Sequence, residues 1–166
     1  MKVISTSIAD VLILEPKVFG DTRGFFLESF NSCAFGQATG LHVNLVRDNH
    51  SRSVWGVLVR VVRGSVFDVV VNIRKTSPSF GQWVGVELSE ANQCQLWVPP
   101  GLAHGFLVTS DIIDFLYKTT DYYAREHERC LAFIDPAIGM KWPIEDVQPL
   151  LFIKDAVGSL LKDLFD

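Results

Sequence analysis

Two residues of this chain have the chemistry to move a proton from surroundings that the sequence defines. His104 lies in Gln95–Phe106, Q-L-W-V-P-P-G-L-A-H-G-F, just past Pro99-Pro100-Gly101. Prolines fix φ and glycine accepts positive φ, so that tripeptide forces a turn. The alternating apolar residues on either side, Leu96 and Val98 before and Phe106 and Val108 after, read as strands. His104 therefore stands at the mouth of a strand. A lone histidine near a strand end is most often structural, and on this pattern alone His104 reads as one. Tyr117, in F-L-Y-K-T-T, carries a phenol that is neutral at pH 7, and on its pattern alone reads as a packing residue of a strand. The other histidines, His42, His50 and His127, are scattered, and no H-x-H pair occurs. The cysteines, Cys33, Cys94 and Cys130, form neither a C-x-x-C pair nor a zinc spacing, and they fit reduced thiols of a cytoplasmic protein. No metal site is expected.

The elements that must carry these residues are short strands. Val11–Val18 contains Pro16, which suits an edge strand or one that bends. Gly20-Asp21 and Arg23-Gly24 are turn signals before the apolar run of Phe25, Phe26 and Leu27. On that pattern alone Arg23 and Glu28 read as solvated charges. Asn31–Gly40 is a short helix, with Asn31 or Ser32 to cap it and Gly40 to end it. Val54–Ile73 reads as two strands joined at Arg63-Gly64-Ser65, and Gln82–Leu88 and Ile112–Thr119 are further strands. Ser159–Asp166 could close the chain as a last helix. Eight to ten short strands with little helix point to an all-β sandwich or barrel, with jelly rolls as the natural candidates. Phe26, Val66, Phe67, Val69, Val86, Leu96, Val98, Phe106 and Phe115 are its expected core.

The bulk numbers agree with one folded domain spanning 1–166. The chain has 166 residues, 48% apolar and 20% charged, enough to bury a real core. A net charge of −4 without a Lys/Arg run argues against nucleic-acid binding, though a local basic pocket for an anionic small ligand is compatible with it. No apolar run reaches membrane-spanning length, and the N-terminus has no apolar leader, so a cytoplasmic location is expected.

Five stretches taken together, E-P-K-V-F-G-D-T-R-G-F-F-L-E-S-F, R-D-N-H-S, F-G-Q-W-V-G-V-E-L-S, Q-L-W-V-P-P-G-L-A-H-G-F-L-V and F-L-Y-K-T-T-D-Y-Y-A-R-E-H-E, resemble the dTDP-4-dehydrorhamnose 3,5-epimerases of deoxysugar biosynthesis. The resemblance covers nearly the whole chain. It implies an all-β cupin-type jelly roll (a double-stranded β-helix) with short peripheral helices. It also implies a homodimer, no metal, no organic cofactor, and a dTDP-4-keto-6-deoxyhexose inverted at C3 and C5. Such chemistry needs a base on one side of the sugar, an acid on the other and a donor near the ketone oxygen. By position, Tyr117 matches the catalytic tyrosine, and Asp155 in I-K-D-A matches the aspartate that orients the catalytic histidine. Arg23, Glu28, Asn49, His104 and Glu128 match ligand-contacting positions. Tyr123 is a wall for the sugar or base, and Lys154 joins the substrate-binding set. Arg47 stands where glutamine is usual and could serve a diphosphate directly. Arg23, Glu28, Asn49, His104, Tyr117, Glu128 and Asp155 are expected to line one cavity.

One departure is large. The family carries its catalytic histidine in an R-G-L-H-Y-Q motif after G-V-L, yet here Gly56-Val57-Leu58 runs straight into Val59-Arg60-Val61. The base histidine is missing with that segment, along with an arginine and a lysine. His50 and His104 do not stand in its motif position. Smaller departures are Asn72 for aspartate, Phe133 for tryptophan, and Trp55 for a small or basic residue. A molecule of the 18.6 kDa that these residues weigh is therefore expected to bind its ligand but turn over poorly. A molecule that carries the segment would be heavier, with a break between Leu58 and Val59. Two other readings remain at this level. One is a cupin without catalysis that binds a nucleotide sugar or merely dimerises. The other is a metal-dependent cupin, disfavoured by the lack of a G-x-H-x-H pattern. Inversion at C3 alone is not distinguished from inversion at both centres.

Overall fold

The computed structural model describes residues 1–49, 56–122, 129–144 and 148–165, with the backbone alone at Asn49 and Lys154. The strands among them are β1 Lys2–Ser5, β2 Leu12–Glu15, β3 Val18–Asp21, β4 Gly24–Leu27, β5 Arg47–Asn49, β6 Val57–Arg63, β7 Ser65–Asn72, β8 Trp83–Ser89, β9 Gln95–Val98, β10 Leu102–Val108 and β11 Asp114–Thr119. Two helices, α1 Ser32–Thr39 and α2 Ile153–Ala156, and a 3-10 turn, Leu161–Asp163, complete the described elements. A six-stranded sheet in the order β1-β2-β9-β6-β11-β5 packs on a three-stranded sheet, β10-β7-β8, and β3-β4 forms a separate hairpin. This is the two-sheet jelly roll that the turn spacing pointed to.

Alternation along the strands explains how the layers meet. Val57, Val59 and Val61 of β6, with Leu96 and Val98 of β9, point at Val66 and Val70 of β7, Leu88 of β8 and Leu102 of β10. The outer face of the large sheet buries Leu14, Leu58 and Trp97 against Phe35 of α1. The outer face of the small sheet buries Val69 and Val71 against Ile138 and Leu161. Strand β7 is thus covered on both sides, which is why S-V-F-D-V-V-V-N reads as an almost unbroken apolar run. The β6–β7 turn depends on Gly64, at φ +78°. A Cβ there would lie 2.0 Å from the Ile112 carbonyl oxygen, so the close approach requires glycine. Leu58 and Val59 are consecutive residues inside β6, one facing α1 and the other the interior.

Helix α1 forms where its caps place it. Asn31 Oδ1 accepts the Ala34 N–H at 3.0 Å, and Gly40 closes the helix in the left-handed region. The C-terminal segment differs from the expected helix over Ser159–Asp166. Ser159 bridges to Leu131, and Asp135 accepts the Leu161 N–H. With Leu161 and Leu164 also buried, only a 3-10 turn fits. Val11–Val18 is likewise two pieces, since Pro16 ends β2 and the chain leaves for the hairpin.

Within the expected core, Val66, Val69, Leu96 and Val98 are buried, and Phe67, Val86, Phe106 and Phe115 are partly so. Phe26 is a correction. It is 68% exposed, because among the described residues β3 and β4 pair only with each other and carry their aromatics away from both sheets. No helix among the described residues is long and apolar enough to cross a membrane.

Candidate active site

The interior between the sheets holds the chemistry. Strands β10 and β7 pair so that Phe106 lies opposite Asp68 and His104 opposite Val70. Val66, Val70, Leu102 and Phe106 point inward, and Asp68 and His104 fall on the same inward face by alternation. There His104 Nε2 lies 2.9 Å from both carboxylate oxygens of Asp68. The Asp68 side chain is fully buried and that of His104 is 13% exposed. Burial pushes the Asp68 carboxyl up from its ordinary range, and the adjacent imidazole pulls it back. A carboxylate in such a place is tolerable only when paired. With Nε2 engaged by Asp68, Nδ1 is the ring nitrogen left to meet a ligand.

Tyr117 reaches the same interior from the facing sheet. It is 5% exposed on β11 and belongs to the cluster that includes Leu102 and Val70. A row of rings joins the two strands. Phe106 of β10 stacks on Phe115 of β11 at 4.4 Å between centroids, and Phe115 meets Tyr117 at 6.5 Å. The β5–β11 register places Asn49 opposite Tyr117, and Arg47 opposite Thr119. Arg47 is exposed at the border of a shallow depression of about 210 Å³ that it shares with Phe30, Asp48 and Lys118.

Among the other expected site residues, Arg23 and Glu28 lie on and just after the β3–β4 hairpin. Arg23 is exposed at the tip of the β3–β4 hairpin and donates to Asp21 through Nε at 3.1 Å. Glu28 follows the hairpin, exposed, and accepts from Asn31 Nδ2 at 3.2 Å. Phe19, Phe25, Phe26 and Arg23 border a depression of about 370 Å³ on that hairpin. Asp155 is half-buried on α2, with Cys130 Sγ 3.7 Å from its Oδ1. Lys154 is the preceding residue of α2. Tyr123 and Glu128 lie outside the described residues. Among the described residues, no group of three or more His, Cys, Asp or Glu side chains could hold a metal ion.

The sequence reading missed Asp68, although a signal was present. An acid at an inward position of a valine-rich strand, between Val66 and Val70, must be buried and must have a partner. Asn72, further along β7, is also fully buried. It holds the following loop by donating to Ser77 and Ser79 and accepting from the Arg74 N–H.

Comparison with known proteins bears on what this arrangement does. The family model described as dTDP-4-dehydrorhamnose 3,5-epimerase matches residues 5–163. The enzyme of that name from Pseudomonas aeruginosa is 50% identical over 177 aligned positions, which cover 98% of this chain and 97% of that protein. Those positions outnumber the 166 residues here, so the relative has at least 11 residues without a counterpart in this chain. The Legionella pneumophila dTDP-6-deoxy-D-glucose-3,5-epimerase, solved in complex with dTDP-4-keto-L-rhamnose, superposes with a TM-score of 0.92 at 44% identity, covering 98% of this chain and 94% of that one. A 3'-monoepimerase from Streptomyces bikiniensis, solved with dTDP-quinovose, gives 0.88 at 28% identity, covering 98% and 88%. A jelly roll with a histidine–aspartate pair and a tyrosine in its interior, matched along almost its whole length, belongs to the dTDP-4-dehydrorhamnose 3,5-epimerase family.

Proposed function

We propose that this chain epimerises a dTDP-4-keto-6-deoxyhexose at C3 and C5, in the cytoplasm and without a metal or organic cofactor. The observation that carries the reading is the placement of Tyr117 and the His104–Asp68 pair on facing walls of one interior, in a chain that its family matches from residue 5 to 163. A 4-ketone acidifies the C3 and C5 protons. Inversion then needs only removal of the proton, a stabilised enolate and reprotonation from the other side. Tyr117 is the acid of this scheme, and Asn49 and Arg47 on the neighbouring strand are its candidate ligand contacts. NMR of the purified chain with dTDP-4-keto-6-deoxy-D-glucose tests the reading. Conversion to the 4-keto-L-rhamnose configuration supports it. Conversion at C3 alone narrows it to a single-centre epimerase, and an unchanged sugar with retained binding leaves a module that only binds.

The functional unit of this reading is a homodimer. Phe19, Phe25 and Phe26 are 52, 64 and 68% exposed on a hairpin that pairs with neither large sheet. A solitary two-stranded hairpin is marginal in water, so a second copy is the cover that both its edge and its aromatics require. Arg23 and Glu28 on this hairpin reach a ligand, in this reading, across the dimer contact. Light scattering at micromolar concentration is expected to give twice 18.6 kDa, and Phe25→Asp with Phe26→Asp to shift the protein towards monomer. A wild-type monomer counts against the dimer.

A further inference from the structure

We propose that His104, aligned by Asp68, is the base with which this chain removes the carbon-bound proton, in place of the histidine of the R-G-L-H-Y-Q segment it lacks; this rests on the epimerase reading above. Asp68 lies between Val66 and Val70 on the inward face of β7, is fully buried, and puts both oxygens 2.9 Å from Nε2 of His104. Nothing in the packing of β7 requires an acid there, since Val66 and Val70 on either side fill the same face with methyl groups. Its placement serves the imidazole. His42, the other described histidine, is exposed after α1.

The proton bookkeeping closes on these groups. Ionised Asp68 accepts the Nε2–H, which leaves the Nδ1 lone pair free to take the proton from carbon. The C–H electron pair becomes the double bond to C4, and the ketone π electrons move onto oxygen as an enolate. The imidazolium formed is stabilised by Asp68. Tyr117, from the opposite sheet, then gives its phenolic proton to the other face of the carbon as the ketone reforms. The phenolate recovers a proton from solvent, and the imidazolium releases one. Asp68 is a positioning residue in this scheme and His104 the catalytic one. The interior is lined by apolar side chains of β6, β8 and β9, and β7 adds Asp68 itself and the buried amide of Asn72. On the facing sheet, Tyr117 and Thr119 of β11 and Arg47 at the end of β5 are polar or charged groups at positions on the inward face.

The test is kcat, KM and the pH profile of kcat with dTDP-4-keto-6-deoxy-D-glucose, for wild type, His104→Gln, Asp68→Asn and Asp68→Glu, with circular dichroism to confirm folding. His104→Gln is expected to lower kcat by about 10²–10⁴-fold with KM little changed. Asp68→Asn is expected to lower kcat with KM little changed, because the ring loses the carboxylate that orients it and balances the charge it gains. Asp68→Glu should recover part of that kcat. A structural role alone would not separate kcat from KM in a folded variant. A folded His104→Gln variant with wild-type kcat overturns the proposal, as does a wild-type kcat in folded Asp68→Asn. If neither variant folds, the wild-type profile decides, since a kcat without an acid limb contradicts a histidine base. A wild type that epimerises the sugar while folded His104→Gln does so equally fast overturns the base assignment alone, whereas a folded wild type that binds dTDP but exchanges no sugar proton overturns the epimerase reading itself.

Discussion

Tyr117→Phe is expected to lower kcat by about 10²–10⁴-fold while KM and folding change little. The substitution removes one oxygen and keeps the ring. The ring is what packs, being 5% exposed beside Phe115 in the interior cluster, so the core survives it. In the proposed scheme the lost hydroxyl is the proton donor to the enolate, an interaction that matters in the transition state more than in the bound ketone. Steady-state kinetics with a thermal melt of both proteins check this. A raised KM at unchanged kcat would make Tyr117 a ligand contact and not the acid.

Leu96→Ala is expected to cost about 2–5 kcal/mol of stability. Leu96 is fully buried on β9, between Ile13 of β2 and Val59 of β6, and points at the small sheet. Truncation removes transfer energy and leaves a cavity at the centre of the sandwich, where neighbouring strands cannot collapse without breaking their ladders. Leu96→Met keeps the volume and should cost less than about 1.5 kcal/mol. Urea unfolding followed by fluorescence measures both. A loss under about 1 kcal/mol for the alanine variant would mean that the two sheets do not pack there as described.

Much of the fold was legible because turn chemistry is local. Asn31 and Gly40 bounded α1, Gly64 marked the turn between β6 and β7, and Pro99-Pro100-Gly101 marked that between β9 and β10. Each acts through backbone conformations that few residues adopt. Phe26 was misread because alternation says which side of a strand is apolar but not what the strand pairs with. The hairpin that carries it finds no partner strand among the described residues. The C-terminal turn was misread because Asp135, some 26 positions upstream, pins Leu161.

At the site, the resemblance pointed to His104 and Tyr117, and the structure sets them on facing sheets. The partner of His104 was not legible in the same way. Asp68 and His104 lie 36 positions apart and meet only through the β7–β10 ladder, which local patterns do not reveal. That pairing changes the expectation for catalysis. From the sequence, loss of the R-G-L-H-Y-Q histidine left no supported imidazole, and poor turnover followed. With Asp68 fixing Nε2, the interior holds a carboxylate-supported histidine opposite a tyrosine.

The most direct test of the epimerase reading is the same reaction run in D2O, with sugar protons followed by NMR. Deuterium appearing at both C3 and C5 of dTDP-4-keto-6-deoxy-D-glucose, at a rate that falls about 10²–10⁴-fold in His104→Gln, is the predicted result. Protons retained at both carbons by a wild-type protein that is folded and binds dTDP would contradict it.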